Sequence, residues 1–110
     1  MTDPQLERDP KLKAIVERLI AAFQPERIYL FGSKARGDEG PDSDYDLMVI
    51  VREAHEPGYR LAQKAHSVLW GIPTAADILV WTADRFDSRI HLRASLPATI
   101  AREGKLLYAA

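Results

Sequence analysis

The sequence predicts an α/β domain: a small mixed β-sheet with helices packed on it. Three observations lead there. Segments whose apolar residues recur at spacings of three and four alternate with short apolar runs rich in β-branched and aromatic residues, the patterns of amphipathic helices and buried strands. The link between the first two apolar runs, residues 28–31 and 47–51, reads as an antiparallel hairpin rather than a crossover, so the sheet is expected to be mixed. Finally, 110 residues of which 46% are hydrophobic suit one core with no separate substrate domain, so residues 1–110 are expected to form a single domain.

Each element has a local reason. Asp9-Pro10 opens the first helix, because aspartate can cap it and proline at the first helical position forfeits no hydrogen bond. Leu12, Ile15, Val16, Leu19, Ile20 and Phe23 then form one apolar face that ends near Gln24-Pro25. Residues 28–31 read as a buried strand, Gly32-Ser33 as a turn, Lys34-Ala35-Arg36 as a candidate single helical turn, and residues 38–43 as a polar loop around Gly40-Pro41. The continuous apolar run 47–51 suits a central strand covered on both faces. A second helix is expected over 58–70, with Leu61, Ala62, Ala65, Val68 and Leu69 inward and Gly71-Ile-Pro73 ending it. Residues 76–81 form a third strand with Asp77 at its head, and Thr82 caps a short helix through Phe86. Ser95-Leu-Pro97 begins a last helix closed by Gly104, before 105–108 adds a strand or tail. The apolar residues from 90 to 100 read as core, with a dimer or partner surface as the alternative.

Bulk composition narrows the functional classes. A formal net charge of −1 without any Lys/Arg run gives no support for direct nucleic-acid binding or attraction to an acidic membrane. The absence of cysteine excludes disulfides and thiolate metal sites, so any metal would take oxygen or histidine ligands. The N-terminal stretch lacks the pattern of a signal peptide and no apolar run reaches membrane-spanning length, so the expectation is a cytoplasmic protein.

The chemistry concentrates in residues 27–51. Ten residues separate Ser33 from Asp44, and Asp44 and Asp46 stand two apart. In extended backbone, such a pair projects from one face, where a divalent cation could bridge both carboxylates. Gly32 leaves room for backbone amides to approach a phosphate, and the Ser33 hydroxyl can donate to one. A bare Asp-x-Asp is most often a solvated turn, but this one abuts a strand apolar enough to be buried, and like charges held that close need a cation, a proton or good solvation. A calcium loop over Asp42, Asp44, Asp46 and Glu53 fails because Leu47 stands where the sharp turn requires glycine. Gly32 and Gly37 fit neither glycine-rich nucleotide-binding spacing, and His55, His66 and His91 are scattered without metal-ligand spacing.

Gly32-Ser33, ten residues, Asp44-x-Asp46, and then Asp77 at the head of a later strand together resemble the nucleotidyltransferase superfamily that includes DNA polymerase β. More closely, Phe31-Gly-Ser-Lys-Ala-Arg-Gly37, Ser43-Asp-Tyr-Asp-Leu47 and Ile100-Ala-Arg-Glu-Gly104 followed by Leu107-Tyr108 look like the minimal nucleotidyltransferases. The resemblance runs from the first helix to Tyr108 and implies the nucleotidyltransferase fold. It implies Asp44 and Asp46 as shared ligands of one or two Mg²⁺ ions, Asp77 as third ligand and candidate base, and Gly32 and Ser33 at the triphosphate of ATP. Arg36, three residues beyond Ser33, suits a phosphate contact but equally a solvated loop position, and Lys34 reads as a surface residue.

The resemblance also implies a biological setting. Minimal nucleotidyltransferases commonly act as antitoxins beside a HEPN-domain ribonuclease toxin, and those with an intact site can transfer AMP from ATP onto a toxin tyrosine. The expectation is that this chain does the same, recognising its acceptor through a partner or another subunit. The alternatives are a non-catalytic binding module that masks its partner, and a transferase acting on a small molecule or an RNA end.

Overall fold

A computed structural model of the protein describes residues 3–32, 35 and 44–110. The chain opens with a short helix α1 (Gln5–Arg8) that the sequence pattern did not announce, because four residues are too few to show a period. The segment is fastened by the Asp3 N–H, which donates to the Leu107 carbonyl at 2.8 Å, and by burial of Leu6. Helix α2 (Pro10–Phe23) follows as expected: the Asp9 carboxylate accepts from the Leu12 N–H at 3.1 Å, and Leu12, Ile15, Val16 and Leu19 are buried. Each of those aliphatic side chains contributes on the order of 1.5–3 kcal/mol by leaving water. Gln24 ends the helix in the left-handed conformation, φ 49°, its N–H donating to the Ile20 carbonyl.

Four strands follow from the remaining apolar runs: β1 (Arg27–Phe31), β2 (Tyr45–Val51), β3 (Ala76–Thr82) and β4 (Lys105–Ala109), in the sheet order β3-β2-β1-β4. β1 pairs antiparallel with β2 and with β4, whereas β2 and β3 run parallel. The sheet is therefore mixed, as the short first connection predicted. A parallel neighbour requires a crossover, and α3 (Gly58–Ser67) lies on that connection.

The two sheet faces are covered unequally. On one face Ile28, Leu30, Tyr45, Leu47, Val49, Val51, Ile78 and Leu107 meet α1, α2 and α3 in a single buried cluster. On the other, Met48 and Ile50 are buried under Phe86 of α4 (Ala83–Asp87) and Ile100 of α5 (Leu96–Glu103). Thr82 and Ser95 cap these two helices, accepting from the Arg85 and Ala98 N–H groups, both at 3.2 Å. The Tyr29 ring stacks on Phe86 with centroids 5.3 Å apart, and the Arg27 guanidinium lies 5.4 Å over the Phe86 ring while donating to both Asp87 oxygens at 2.9 and 3.0 Å. Burial disfavours the Arg27 charge, yet its hydrogen bonds to Tyr29 and Asp87 leave its pKa raised.

Two details depart from the sequence reading. α3 stops at Ser67, three residues before the expected end, and residues 68–71 form a turn. Arg18 of α2 donates to the Val68 and Trp70 carbonyls at 3.0 and 2.6 Å, satisfying groups left open at the helix end, and Gly71 supplies φ +84° to reverse the chain. Val68 and Leu69 still pack against the core, while Trp70 is 88% exposed. The apolar stretch from 90 to 100 also divides: Ile90 and Leu92 are exposed, and Pro97, Ala98 and Ile100 are buried. Among the described residues no helix is long and apolar enough to cross a membrane.

Candidate active site

The carboxylates gather where β1 ends and β2 and β3 begin. Strand β2 starts at Tyr45, so Asp46 lies inside the ladder opposite Phe31, and Asp44 stands just ahead of the strand. Alternation along β2 sends Tyr45, Leu47 and Val49 to the face covered by α1, α2 and α3. Asp46 accordingly shares the opposite face with Met48 and Ile50. Because β2 and β3 are parallel and in register, Asp77 is the direct partner of Asp46 and projects from the same face. Neighbouring strands lie about 4.8 Å apart, which puts the two side chains within reach of a common ligand. Asp46 is half-buried, whereas Asp44 and Asp77 are exposed.

Gly32 follows β1 directly. Its φ of +75° favours glycine, and there is no space for anything larger: an added Cβ would collide with the Asp46 carboxylate, with Cγ at 3.1 Å. Gly32 is thus what lets the Asp46 carboxylate lie against the end of β1. The Ala35 N–H donates to the Gly32 carbonyl at 3.2 Å. Ser33 and Arg36, the other two residues assigned to phosphate, lie outside the described residues, as does Lys34.

The donor chemistry fits magnesium. Asp46 and Asp77 offer hard oxygen ligands from two adjacent strands, and Asp44 adds a third carboxylate at the same end of the sheet. Among the described residues, no three acidic, histidine or cysteine side chains are already drawn into a metal-holding group. Magnesium is usually held by one or two carboxylates with substrate phosphates and water rather than by a cage made only of protein.

One pair of residues at this end of the sheet was not anticipated as a unit. Tyr45, between the two aspartates, is 6% exposed, and its hydroxyl donates to the Asp9 carboxylate, 3.0 and 2.9 Å from the two oxygens. Asp9 was legible as a helix cap, whereas Tyr45 was not singled out, and nothing local joins positions so far apart. The Tyr45 N–H also donates to the Ala75 carbonyl at 3.2 Å, tying the start of β2 to the start of β3.

Comparison with known proteins identifies the domain and its fold. Residues 11–100 match the nucleotidyltransferase domain family. No curated protein matches the sequence. Among solved structures, a Sulfolobus solfataricus protein provisionally described as a nucleotidyltransferase superposes with a TM-score of 0.64 at 22% identity, over 91% of this chain and 78% of that one. A toxin–antitoxin with AMP-PNP gives 0.58 at 24% identity, over 89% and 73%. The toxin–antitoxin MntA–HpeT, in a form with two aspartates two positions apart changed to glutamate, gives 0.56 at 23%, over 91% and 73%. At these identities the likenesses establish a common fold.

Proposed function

This chain belongs to the nucleotidyltransferase domain family, and from that premise we propose that it transfers AMP from ATP to a tyrosine hydroxyl of a partner HEPN-domain ribonuclease toxin, acting as that toxin's antitoxin. The observation that carries the reading is the register pairing of Asp46 with Asp77, with Gly32 against the Asp46 carboxylate. That pairing, two carboxylates on one face of the sheet, supports reading Asp46 as a metal ligand and Asp77 as the base. The toxin partner is supported by the structural neighbours, two of which are toxin–antitoxin assemblies, one solved with AMP-PNP.

In the proposed reaction the acceptor oxygen attacks the α-phosphorus of ATP. A new oxygen–phosphorus bond forms, the bond from that phosphorus to the bridging oxygen breaks, and pyrophosphate leaves with that oxygen. Asp77 accepts the acceptor's proton, a role its exposure leaves open to an incoming hydroxyl. Asp44 and Asp46, with Asp77 as third ligand, would hold one or two Mg²⁺. Bound there, magnesium supplies positive charge that stabilises the attacking and leaving oxygens of an in-line displacement. Gly32 lets backbone approach the triphosphate closely, and Ser33 and Arg36 are assigned to phosphate contacts. A cytoplasmic setting is consistent with an ATP substrate.

The test is labelling from α-labelled ATP and Mg²⁺ in lysate of the source cells, with the Asp44→Asn/Asp46→Asn variant in parallel. A labelled protein that disappears with the variant, labelled on tyrosine, is the expected result. Label in RNA or a small molecule would overturn the acceptor assignment. Neutralisation of the toxin that survives the variant would replace modification by masking.

A further inference from the structure

We propose that Tyr45 is a positioning residue for the metal-holding carboxylates, fixed in that role by its hydroxyl's hydrogen bond to Asp9; the inference rests on the reading of Asp44 and Asp46 as metal ligands. Burial explains the Tyr45 ring but not its hydroxyl. The ring packs with Leu47, Val49 and the buried face of α2, and phenylalanine would fill the same volume. The hydroxyl instead reaches the Asp9 carboxylate, at 3.0 and 2.9 Å from its oxygens. A hydrogen bond to an ionised acceptor is stronger than a neutral one.

Asp9 is itself immobilised. It accepts from the Leu12 N–H at 3.1 Å as the cap of α2, a helix fourteen residues long that buries Leu12, Ile15, Val16 and Leu19 in the core. Tyr45 is thereby clamped to a rigid helix on one side and, through its N–H and the Ala75 carbonyl, to the strand that carries Asp77 on the other. The clamp acts at the first residue of β2, where a ladder otherwise frays. Strand alternation converts it into geometry. With Tyr45 held toward the helix face, Asp46, the next residue of the strand, is directed to the opposite face, the one that Asp77 shares, and Asp44 enters the strand from a fixed point. Loosening Tyr45 lets the strand start rotate, and Asp46 loses the direction it shares with Asp77.

The experiment measures Mn²⁺ binding in the presence of ATP by electron paramagnetic resonance, alongside thermal unfolding. Tyr45→Phe keeps the ring and removes the hydroxyl. Asp9→Ser keeps a helix cap but is too short to reach Tyr45, whereas Asp9→Asn keeps both the cap and an acceptor oxygen. Tyr45→Phe and Asp9→Ser should each weaken Mn²⁺ binding about tenfold, as loss of outer-shell support does, and the double variant should be no weaker than either. Asp9→Asn should bind nearly as the parent protein does. A purely structural hydrogen bond would lower the unfolding temperature and leave Mn²⁺ affinity unchanged, measured well below that temperature, and this result overturns the proposal. Asp44→Asn/Asp46→Asn serves as the reference. Undiminished Mn²⁺ binding by that variant, or none by the parent, would sink the metal-site reading and this inference with it; loss in the reference with Tyr45→Phe unaffected would sink this inference alone.

Discussion

Asp46 of β2 and Asp77 of β3 are register partners on parallel strands, so both carboxylates leave the same face of the sheet at the same end. Of the residues singled out for chemistry, these two are joined directly by the backbone ladder. Their equivalence in position does not make them equivalent in role, because Asp46 is half-buried against Gly32 and Asp77 is exposed.

Replacing each of them alone should separate those roles. Asp46→Asn is expected to abolish metal-dependent nucleotide binding. Asp77→Asn should retain measurable Mn²⁺–ATP binding while transfer falls by about 10²–10⁴, the usual worth of a positioned base. Asp77 is exposed and belongs to no apolar cluster, so Asp77→Asn should not unfold earlier than the parent. Single-turnover transfer and calorimetric binding, run on the same preparations, make the comparison.

Gly32 and Gly71 offer a controlled pair. Both have positive φ, +75° and +84°, so alanine at either should cost on the order of 1–2 kcal/mol of backbone strain. At Gly71 a Cβ would meet nothing within 4 Å, whereas at Gly32 it would displace the Asp46 carboxylate. Denaturant unfolding should therefore show a loss at both positions, with the larger at Gly32. Transfer activity, measured where each variant is folded, should fall only for Gly32→Ala; equal activity loss in both would refute the contact's role.

The cluster on the site-bearing face should depend on packing more than on charge. Phe86 is fully buried and stacks with Tyr29, so Phe86→Ala is expected to cost about 3–5 kcal/mol. The Arg27–Asp87 pair beside it is partly solvated, and Asp87→Ala should cost no more than about 1 kcal/mol. Urea unfolding of the two variants decides between them, and a reversed order would mean that the ion pair, not the ring, holds α4 to the sheet.

Trp70 and Trp81 should be distinguishable by fluorescence. Trp70 is 88% exposed, while Trp81 is half-buried with the Arg85 guanidinium 3.8 Å over its ring. Trp70→Phe should remove the red-shifted emission that iodide quenches and leave stability within about 0.5 kcal/mol. If the quenchable component stays, residues 68–71 do not present the indole to solvent.

Much of the fold was legible because its signals are local. The cap at Asp9, the three-and-four spacing through Phe23, the caps at Thr82 and Ser95 and the apolar run of β2 each follow from residues a few positions apart, and the structure has them where expected. Helix α3 ended early because Arg18, distant in sequence, supplies hydrogen bonds to the carbonyls of the following turn. The apolar residues from 90 to 100 carried no periodicity able to separate the exposed Ile90 and Leu92 from the buried Ile100. Within the site, the spacing put Asp44 and Asp46 on one face of extended backbone; the structure has Asp46 inside β2 and Asp44 just ahead of it.

The sequence by itself determined which residues are candidates for chemistry and, for those inside a strand, the alternation that sets their face, since strand alternation and helix period are properties of neighbouring residues. Only the tertiary structure decided that β3 lies parallel to β2 with Asp77 opposite Asp46, that the Gly32 backbone abuts the Asp46 carboxylate, and that Tyr45 is clamped by Asp9. The reason is physical. Register between strands is fixed by how whole apolar faces pack against α1, α2 and α3, and a contact across many intervening residues leaves no periodic trace along the chain.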